Sequence, residues 1–333
     1  MMPEVRELRR DFLREDGPAV LIRLEDGAAE LLGDAVIAIG AFDGFHIGHQ
    51  KLIARTVADA RARGMRACAV TFDPDPDCVV GSGPAPKLML RDDRLRVLCA
   101  SGVDAVVVVP FTRELAALDH VAFFSDVLSP VMDVRAVHVG CDFRLGRGGA
   151  STVEVMRVWG AARGIEVTGH SLVLADGSAV TATRIRALLA EGLVEDARAE
   201  LGRRFMMRGT VGSGRGQGTG MGFPTANIAV PAGLVWPKDG VYACLAELDG
   251  VVWPAAVNVG IPPTFAGLPG ASKLEANLIG FSGDVRGSAV SLAFCRRLRD
   301  SRVFGSEREL IDTVMGNIQD IRDEYGESGV CIA

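Results

Sequence analysis

The chain lacks the features that would place it outside a reducing, aqueous compartment. Its 7 cysteines (68, 78, 99, 141, 244, 295 and 331) are odd in number, scattered, and never spaced Cys-x-x-Cys. That argues against a zinc frame or a disulfide scaffold and predicts reduced thiols in a cytoplasm, mostly as core residues. No apolar run is long enough to span a bilayer. The opening stretch MMPEVRELRRDFLRED is too charged for a signal peptide. Cys331 stands third from the end, where a prenylation box needs the fourth position. There is no Gly-Lys pair anywhere, hence no Walker lysine. Basic charge is also short: 36 Lys and Arg against 42 Asp and Glu leave a net charge of −6. Such a balance suits neither a broad nucleic-acid surface nor a membrane partner, although single arginines can still hold a phosphorylated small molecule. Self-association is left open.

What is present suits two globular domains, since 333 residues at 48% hydrophobic can build two cores. From Asp34 to about Thr183, apolar strand-like runs at 35–41, 66–72, 103–109 and 134–140 alternate with helical patterns near 49–63, 91–101, 119–129 and 151–163. Near-continuous apolar strands separated by helices predict a doubly wound parallel sheet of the α/β class. After Phe205 the texture changes to short β-rich runs at 205–212, 240–248, 251–258, 273–280 and 288–294, which predict an antiparallel β-barrel or sandwich. A last amphipathic stretch, Ser306 to Asp323, opens with a Ser306–Glu309 capping box and predicts a terminal helix. The expected boundary lies between residues 203 and 204.

The most informative stretch is Ala35 to Gln50, AVIAIGAFDGFHIGHQ. A buried strand turns there into a helix through Gly40, Phe42, Asp43 and Gly44, with His46, Gly48 and His49 at the turn. Glycines let the backbone approach a ligand, and a helix N-terminus attracts phosphate. His46 and His49, three apart, share a face and can donate hydrogen bonds to phosphate oxygens. A metal pair or a chance surface pair is the plainer alternative. Three further stretches fall at element ends. The loop Gly140–Gly149 follows the fourth run and reads either as a nucleotide-binding lip, with Asp142 or Arg144 near base or ribose, or as a plain glycine-rich loop. Thr181–Leu189 opens a helix that Thr181 or Thr183 caps, and Arg184 and Arg186 reach a triphosphate from it or serve only as a solvated face. Gly209–Asn227 fails the Gly-x-Gly-x-x-Gly pattern in every register and ends in Gly222-Phe223-Pro224-Thr225-Ala226-Asn227. Thr225 and Asn227, two apart on a strand, offer hard oxygen ligands for Mg²⁺.

The Gly40–His49 stretch resembles the signature of nucleotidyltransferases in the prokaryotic FAD synthetase family. The FPTAN corner (223–227) resembles that of riboflavin kinases, as do the blocks Asn258–Phe265 and Lys273–Phe281. The resemblance spans about residues 34–323 and implies a bifunctional enzyme, with an adenylyltransferase domain (1–203) and a kinase barrel (204–333). It would phosphorylate riboflavin to FMN and adenylylate FMN to FAD, with ATP as co-substrate and Mg²⁺ as cofactor. In that reading His46, His49, Thr183, Arg184 and Arg186 hold the triphosphate. Glu275 is the base toward the ribityl 5′-hydroxyl, and Arg299, with Phe304, lies near the flavin. Some positions depart from the family pattern. Asp75 stands where histidine is usual, Ala182 where serine is, Thr219 where arginine is, Gly280 where Asp tends to be, Arg286 where Tyr tends to be, and Asn317 where an acidic residue is common. A divergent paralogue acting on a modified flavin or another phosphorylated metabolite therefore stays open. So does a non-catalytic flavin or nucleotide sensor, although a sensor has no use for a base.

Overall fold

The computed structural model describes residues 1–27, 31–81, 83, 85–212, 223–261 and 273–333. The chain divides into two compact units, Glu15–Ala182 and a discontinuous unit of Met1–Arg14 with Thr183–Ala333.

In the first unit, six strands form one parallel sheet: β1 (Val20–Arg23), β2 (Asp34–Ile39), β3 (Arg66–Asp73), β4 (Ala105–Pro110), β5 (Asp133–Gly140) and β6 (Glu166–His170). Their order is β1-β4-β3-β2-β5-β6. The middle strands are continuous apolar runs because both sheet faces are covered; Val36, Ile37 and Val106 are fully buried. Helices α1 (Ile47–Arg63), α2 (Arg91–Cys99) and α3 (Val153–Ala161) lie between strands, and Gly64 ends α1 in the left-handed region (φ 66°). The chain leaves β2 toward β3 on one side and leaves β5 toward β6 on the other. The switch point of this sheet therefore lies between the carboxyl ends of β2 and β5, where open α/β sheets bind ligands.

The second unit contains α4 (Ala182–Glu191, from its second residue), α5 (Val194–Leu201), β7 (Met206–Gly212), β8 (Ala226–Ala229), β9 (Gly240–Leu248), β10 (Val251–Val259), β11 (Leu274–Leu278), β12 (Ala289–Arg299), α6 (Glu307–Tyr325) and β13 (Val330–Cys331). The antiparallel order β9-β12-β7-β8-β11-β10 closes on itself because β9 also pairs with β10, giving a six-stranded barrel. β13 adds to β10. Ser306 caps α6, its Oγ accepting from the Glu309 N–H at 3.2 Å. The carboxylate of Glu309 reaches back to the Gly305 N–H (2.9 Å) rather than to that of Ser306.

By packing, residues 183–203 group with the barrel. Helix α5 packs on β12. The N-terminal helix Val5–Asp11 buries Leu8 completely, as the chain does Phe12 just after it. Buried Asp11 accepts from the Arg204 backbone N–H at 2.9 Å and forms an ion pair with its guanidinium. Glu7 pairs with Arg198 (2.6 Å) and Arg204 (2.7 Å). These contacts, invisible to a reading of hydrophobic runs, tie the first fourteen residues to the barrel unit.

Candidate functional sites

At the end of β2 the chain turns through a backbone that a generic sequence would resist. Phe42 (φ 56°) and Phe45 (φ 40°) join Gly44 (φ 71°) in the left-handed region. Phe42 is held there because its ring is buried, edge-on against His49 with ring centroids 5.3 Å apart. His46 is the N-cap residue of α1 and His49 its third residue, so their rings stack with centroids 3.7 Å apart. A Cβ on Gly48 would meet the His46 ring at 3.0 Å, and one on Gly40 would meet the Phe42 ring at 3.2 Å. A side chain at either glycine would press on the ring beside it. Asp43 Oδ1 accepts from the Leu88 N–H at 2.9 Å, pinning the segment before α2 to the turn. Burial, then the neighbouring His46, hold His49 well below the ordinary imidazole pKa. Its buried Nδ1 has no hydrogen-bond partner among the described residues, which a neutral ring tolerates better than an imidazolium. His49 therefore offers a neutral N–H donor at the start of α1, beside His46, where the helix dipole and free N–H groups add to it.

Across the switch point, Gly140 ends β5. A Cβ there would come within 2.8 Å of Asp142 Oδ1. Asp142 and Arg144 are both exposed on the loop. Leu145 packs against the core of the unit, and the Arg144 side chain lies over Gly149. The structure thus brings Gly40, Phe42, Asp43, His46, Gly48 and His49 together and sets Asp142 and Arg144 on the adjacent loop of the same sheet edge. Thr183, Arg184 and Arg186 belong to α4 in the other unit. Thr181 occupies the N-cap position of that helix and Thr183 lies in its first turn. Arg184 is ion-paired with the buried carboxylate of Glu200 on α5.

Asp75 is no free anion on a ligand loop. Its side chain is 11% exposed, pairs with Arg94 (5% exposed) and lies 3.2 Å from Lys87 Nζ. Lys87 also binds Asp77 at 2.6 Å, and Arg94 donates to the Phe72 carbonyl at 3.0 Å. The departure from histidine is therefore compensated within the unit.

In the barrel the informative geometry is register. Asn227 on β8 and Asn258 on β10 both pair directly with Glu275 on the strand between them. Their sequence neighbours Ala226, Ile228, Leu274, Ala276, Val257 and Val259 are all buried, so the three polar side chains form a row on the opposite face. Asn258 donates to the Gly260 carbonyl (2.8 Å), and Asn277 donates to the Pro224 carbonyl (2.8 Å), fixing the Phe223-Pro224-Thr225 corner. The motif reading gives Asn258 and Asn277 no role; strand register sets Asn258 beside Glu275, and a hydrogen bond ties Asn277 to Pro224. Phe223 is buried and Pro224 exposed. Gly222, Thr219 and the segment 262–265 lie outside the described residues. Arg299 Nε donates to Asn317 Oδ1 at 2.8 Å, and its guanidinium sits 5.6 Å from the Phe304 ring centroid. Burial, then Arg302, pull the Arg299 pKa down. Gly280 sits at φ 80°, and a Cβ there would lie 1.8 Å from the Glu327 carbonyl oxygen, which leaves no room for Asp. Arg286 forms a surface pair with Asp284 (2.7 Å).

A histidine-bearing helix start at the switch point of a parallel sheet, and a carboxylate–amide row on a closed barrel, define a nucleotide-using transferase with two separate sites. A family model for FAD synthetase matches residues 29–184 and one for riboflavin kinase matches residues 201–325. The bifunctional riboflavin kinase/FMN adenylyltransferase of Pseudomonas fluorescens is 31% identical over 85% of this chain and 90% of its own length. That of Bacillus subtilis (strain 168) is 31% identical over 84% and 89%. A crystal structure named as a macrolide-efflux protein from Streptococcus pneumoniae shares 26% identity and superposes with a TM-score of 0.81, covering 91% of this chain and 99% of that one. Among the described residues no helix is long and apolar enough to cross a membrane. The chain belongs to the bifunctional riboflavin kinase/FMN adenylyltransferase family.

Proposed function

We propose that the barrel unit phosphorylates riboflavin to FMN and that the α/β unit adenylylates FMN to FAD. In the first reaction Glu275 takes the proton of the ribityl 5′-hydroxyl while its oxygen attacks the γ-phosphorus of ATP and ADP leaves. In the second, a phosphate oxygen of FMN attacks the α-phosphorus of another ATP and pyrophosphate leaves. No covalent enzyme intermediate is needed. His46 and His49 donate to the phosphates, and Asp142 and Arg144 line the nucleotide lip. Arg299 lies beside the flavin.

Thr225 and Asn227 would hold Mg²⁺ with the ATP phosphates in the barrel, and the ion would neutralise phosphate charge. The chemistry of the donors fits: Asn227 lies directly across from Glu275, and Thr225 immediately precedes the strand that carries Asn227. An ion at this site would be held mainly by substrate phosphates. Seven free cysteines support a reducing, cytoplasmic setting.

The observation that carries this reading is that each family-model match contains one built site, the stacked His46–His49 pair in one and the Asn227–Glu275–Asn258 row in the other. Asp75 and Gly280 have internal structural explanations, so these two departures give no support to a changed substrate. Purified protein incubated with riboflavin, ATP and Mg²⁺, followed by chromatography, should yield FMN and FAD. His49→Ala should lose FAD formation and keep FMN formation, and Glu275→Gln should do the reverse. A wild-type protein that makes neither product refutes the proposal.

A further inference from the structure

A second polar cluster lies in the α/β unit, away from the paired histidines. His138 on β5 and His170 at the end of β6 face each other with Nδ1 of His138 2.7 Å from Nε2 of His170. Their rings are nearly coplanar, 7° apart, with centroids 5.0 Å apart. That is the geometry of an in-plane hydrogen bond rather than a face-to-face stack. On one side Arg55 Nη1 lies 2.7 Å from His170 Nδ1. On the other, His138 Nε2 lies 3.0 Å from Asp59 Oδ2. Arg55 and Asp59 both stand on α1, the helix that begins at the histidine pair.

The chemistry of the end groups fixes the protons. A guanidinium only donates and a carboxylate only accepts. Three contacts in series are then satisfied in one way: Arg55 donates to His170 Nδ1, His170 Nε2–H donates to His138 Nδ1, and His138 Nε2–H donates to Asp59. An added proton on His170 Nδ1 would face the Arg55 donor and break that link. Asp59 is further held by Arg63 Nε at 2.8 Å, and Arg63 by Glu166 of β6 at 2.6 Å.

The chain of contacts ends beneath the nucleotide lip. His170 pairs in register with Gly140, and its carbonyl accepts from the Cys141 N–H at 2.9 Å. Cys141 precedes Asp142. We propose that Arg55, His170, His138 and Asp59 are positioning residues for adenylylation: they set the spacing between the start of α1, which takes the phosphates, and the Gly140–Arg144 lip, which takes the nucleoside end of the same ATP. The inference rests on the adenylyltransferase reading of this unit. The four groups touch no reacting atom and act by holding helix and lip in one register.

The test is FAD formation from FMN and ATP, with riboflavin phosphorylation by the same protein as internal reference. His170→Phe should raise the KM for ATP in the adenylyl step about tenfold, the loss of roughly one hydrogen bond's worth of alignment. Its kcat should change less than about threefold and the kinase step should be unaffected. Arg55→Met, at an exposed position that spares the fold, should shift KM in the same direction, and Arg55→Lys should restore it. The double variant should be no worse than His170→Phe alone, because both act through one chain. Additive effects would mean that Arg55 meets the nucleotide by itself and would overturn the proposal. So would a KM within about twofold of wild type in both single variants, or a nitrogen NMR spectrum of the wild type showing Nδ1–H on either ring. If His170→Phe fails to fold, Arg55→Met and the NMR tautomers decide. A wild-type protein that makes no FAD would instead refute the underlying reading, which separates the two failures.

Discussion

Asp75 gives the sharpest structural prediction, because its replacement of histidine at first suggests a damaged flavin loop. Its carboxylate is buried against Arg94, itself 5% exposed, and close to Lys87. Asp75→Asn keeps the shape and removes the charge. Lys87 retains Asp77, but Arg94 loses its only carboxylate among its ion pairs in the described residues. Breaking a buried pair by removing one partner typically costs about 3–5 kcal/mol. The amide oxygen still accepts from Arg94, so the low end, about 3 kcal/mol, is expected here. For a unit of this size each kcal/mol lowers Tm by about 2–4 °C, giving a fall of about 6–12 °C. Asp75→His should cost more, because an imidazole supplies neither the charge nor the paired acceptor oxygens, and if protonated it would be a third cation beside Arg94 and Lys87. Differential scanning calorimetry, with circular dichroism of the separate transitions, reads this directly. Asp77→Asn serves as the control: its side chain is 34% exposed, and surface pairs are worth about 1 kcal/mol or less. If Asp75→Asn unfolds within about 0.5 kcal/mol of wild type, or if Asp75→His is as stable as the parent, the ion network does not hold this loop and the argument fails.

Other perturbations test other parts. Gly48→Ala places a methyl group 3.0 Å from the His46 ring; FAD formation should fall about tenfold through a displaced imidazole while FMN formation is unchanged, and equal rates would refute the packing argument. Asn277→Leu removes the donor to the Pro224 carbonyl; chemical denaturation should show a loss of about 1–2 kcal/mol, and the KM for ATP in the kinase step should rise. The pKa of His170 is brought down to about 4, by burial first and then by His138 and Arg55. A histidine whose folded pKa lies below its unfolded value favours the native state above about pH 6.5, and that stability is lost as pH falls toward 4. Full linkage would be about 3 kcal/mol; solvent screening at this partly exposed ring reduces the expectation to about 1–2 kcal/mol. An α/β unit equally stable at pH 7 and pH 4.5 would contradict it.

Much of this architecture was legible in the residues. Apolar runs such as Val36–Ile39 and Val106–Val109 announce strands covered on both faces, and the Ser306–Glu309 pair marks the start of α6. The edge strands were not legible. Val20–Arg23 is four residues long, and Glu166–His170 carries Glu, Thr and His, because an edge strand needs less apolar surface. The paired histidines of α1 could be read because helical spacing is local. The Asn227–Glu275–Asn258 row could not, since it depends on strand register between segments far apart in sequence. The same limit hid the Asp75–Arg94 pair, whose partners lie nineteen positions apart, and the chain from Arg55 to Asp59 through two strands. Arg184 shows the reverse case: the sequence suggests an arginine for phosphate, and folding gives it a carboxylate neighbour on the next helix.

Because its first fourteen residues pack with a barrel that is encoded only after residue 182, the kinase half is a split module into which the adenylylating half is spliced. On the ribosome the spliced half is a single uninterrupted segment and can finish folding first. The opening helix must wait, with Leu8 and Phe12 uncovered, until Arg204 and the strands behind it emerge. Cutting the chain after residue 182 would leave the opening helix on the other fragment, with Leu8 and Phe12 deprived of the partners they pack with.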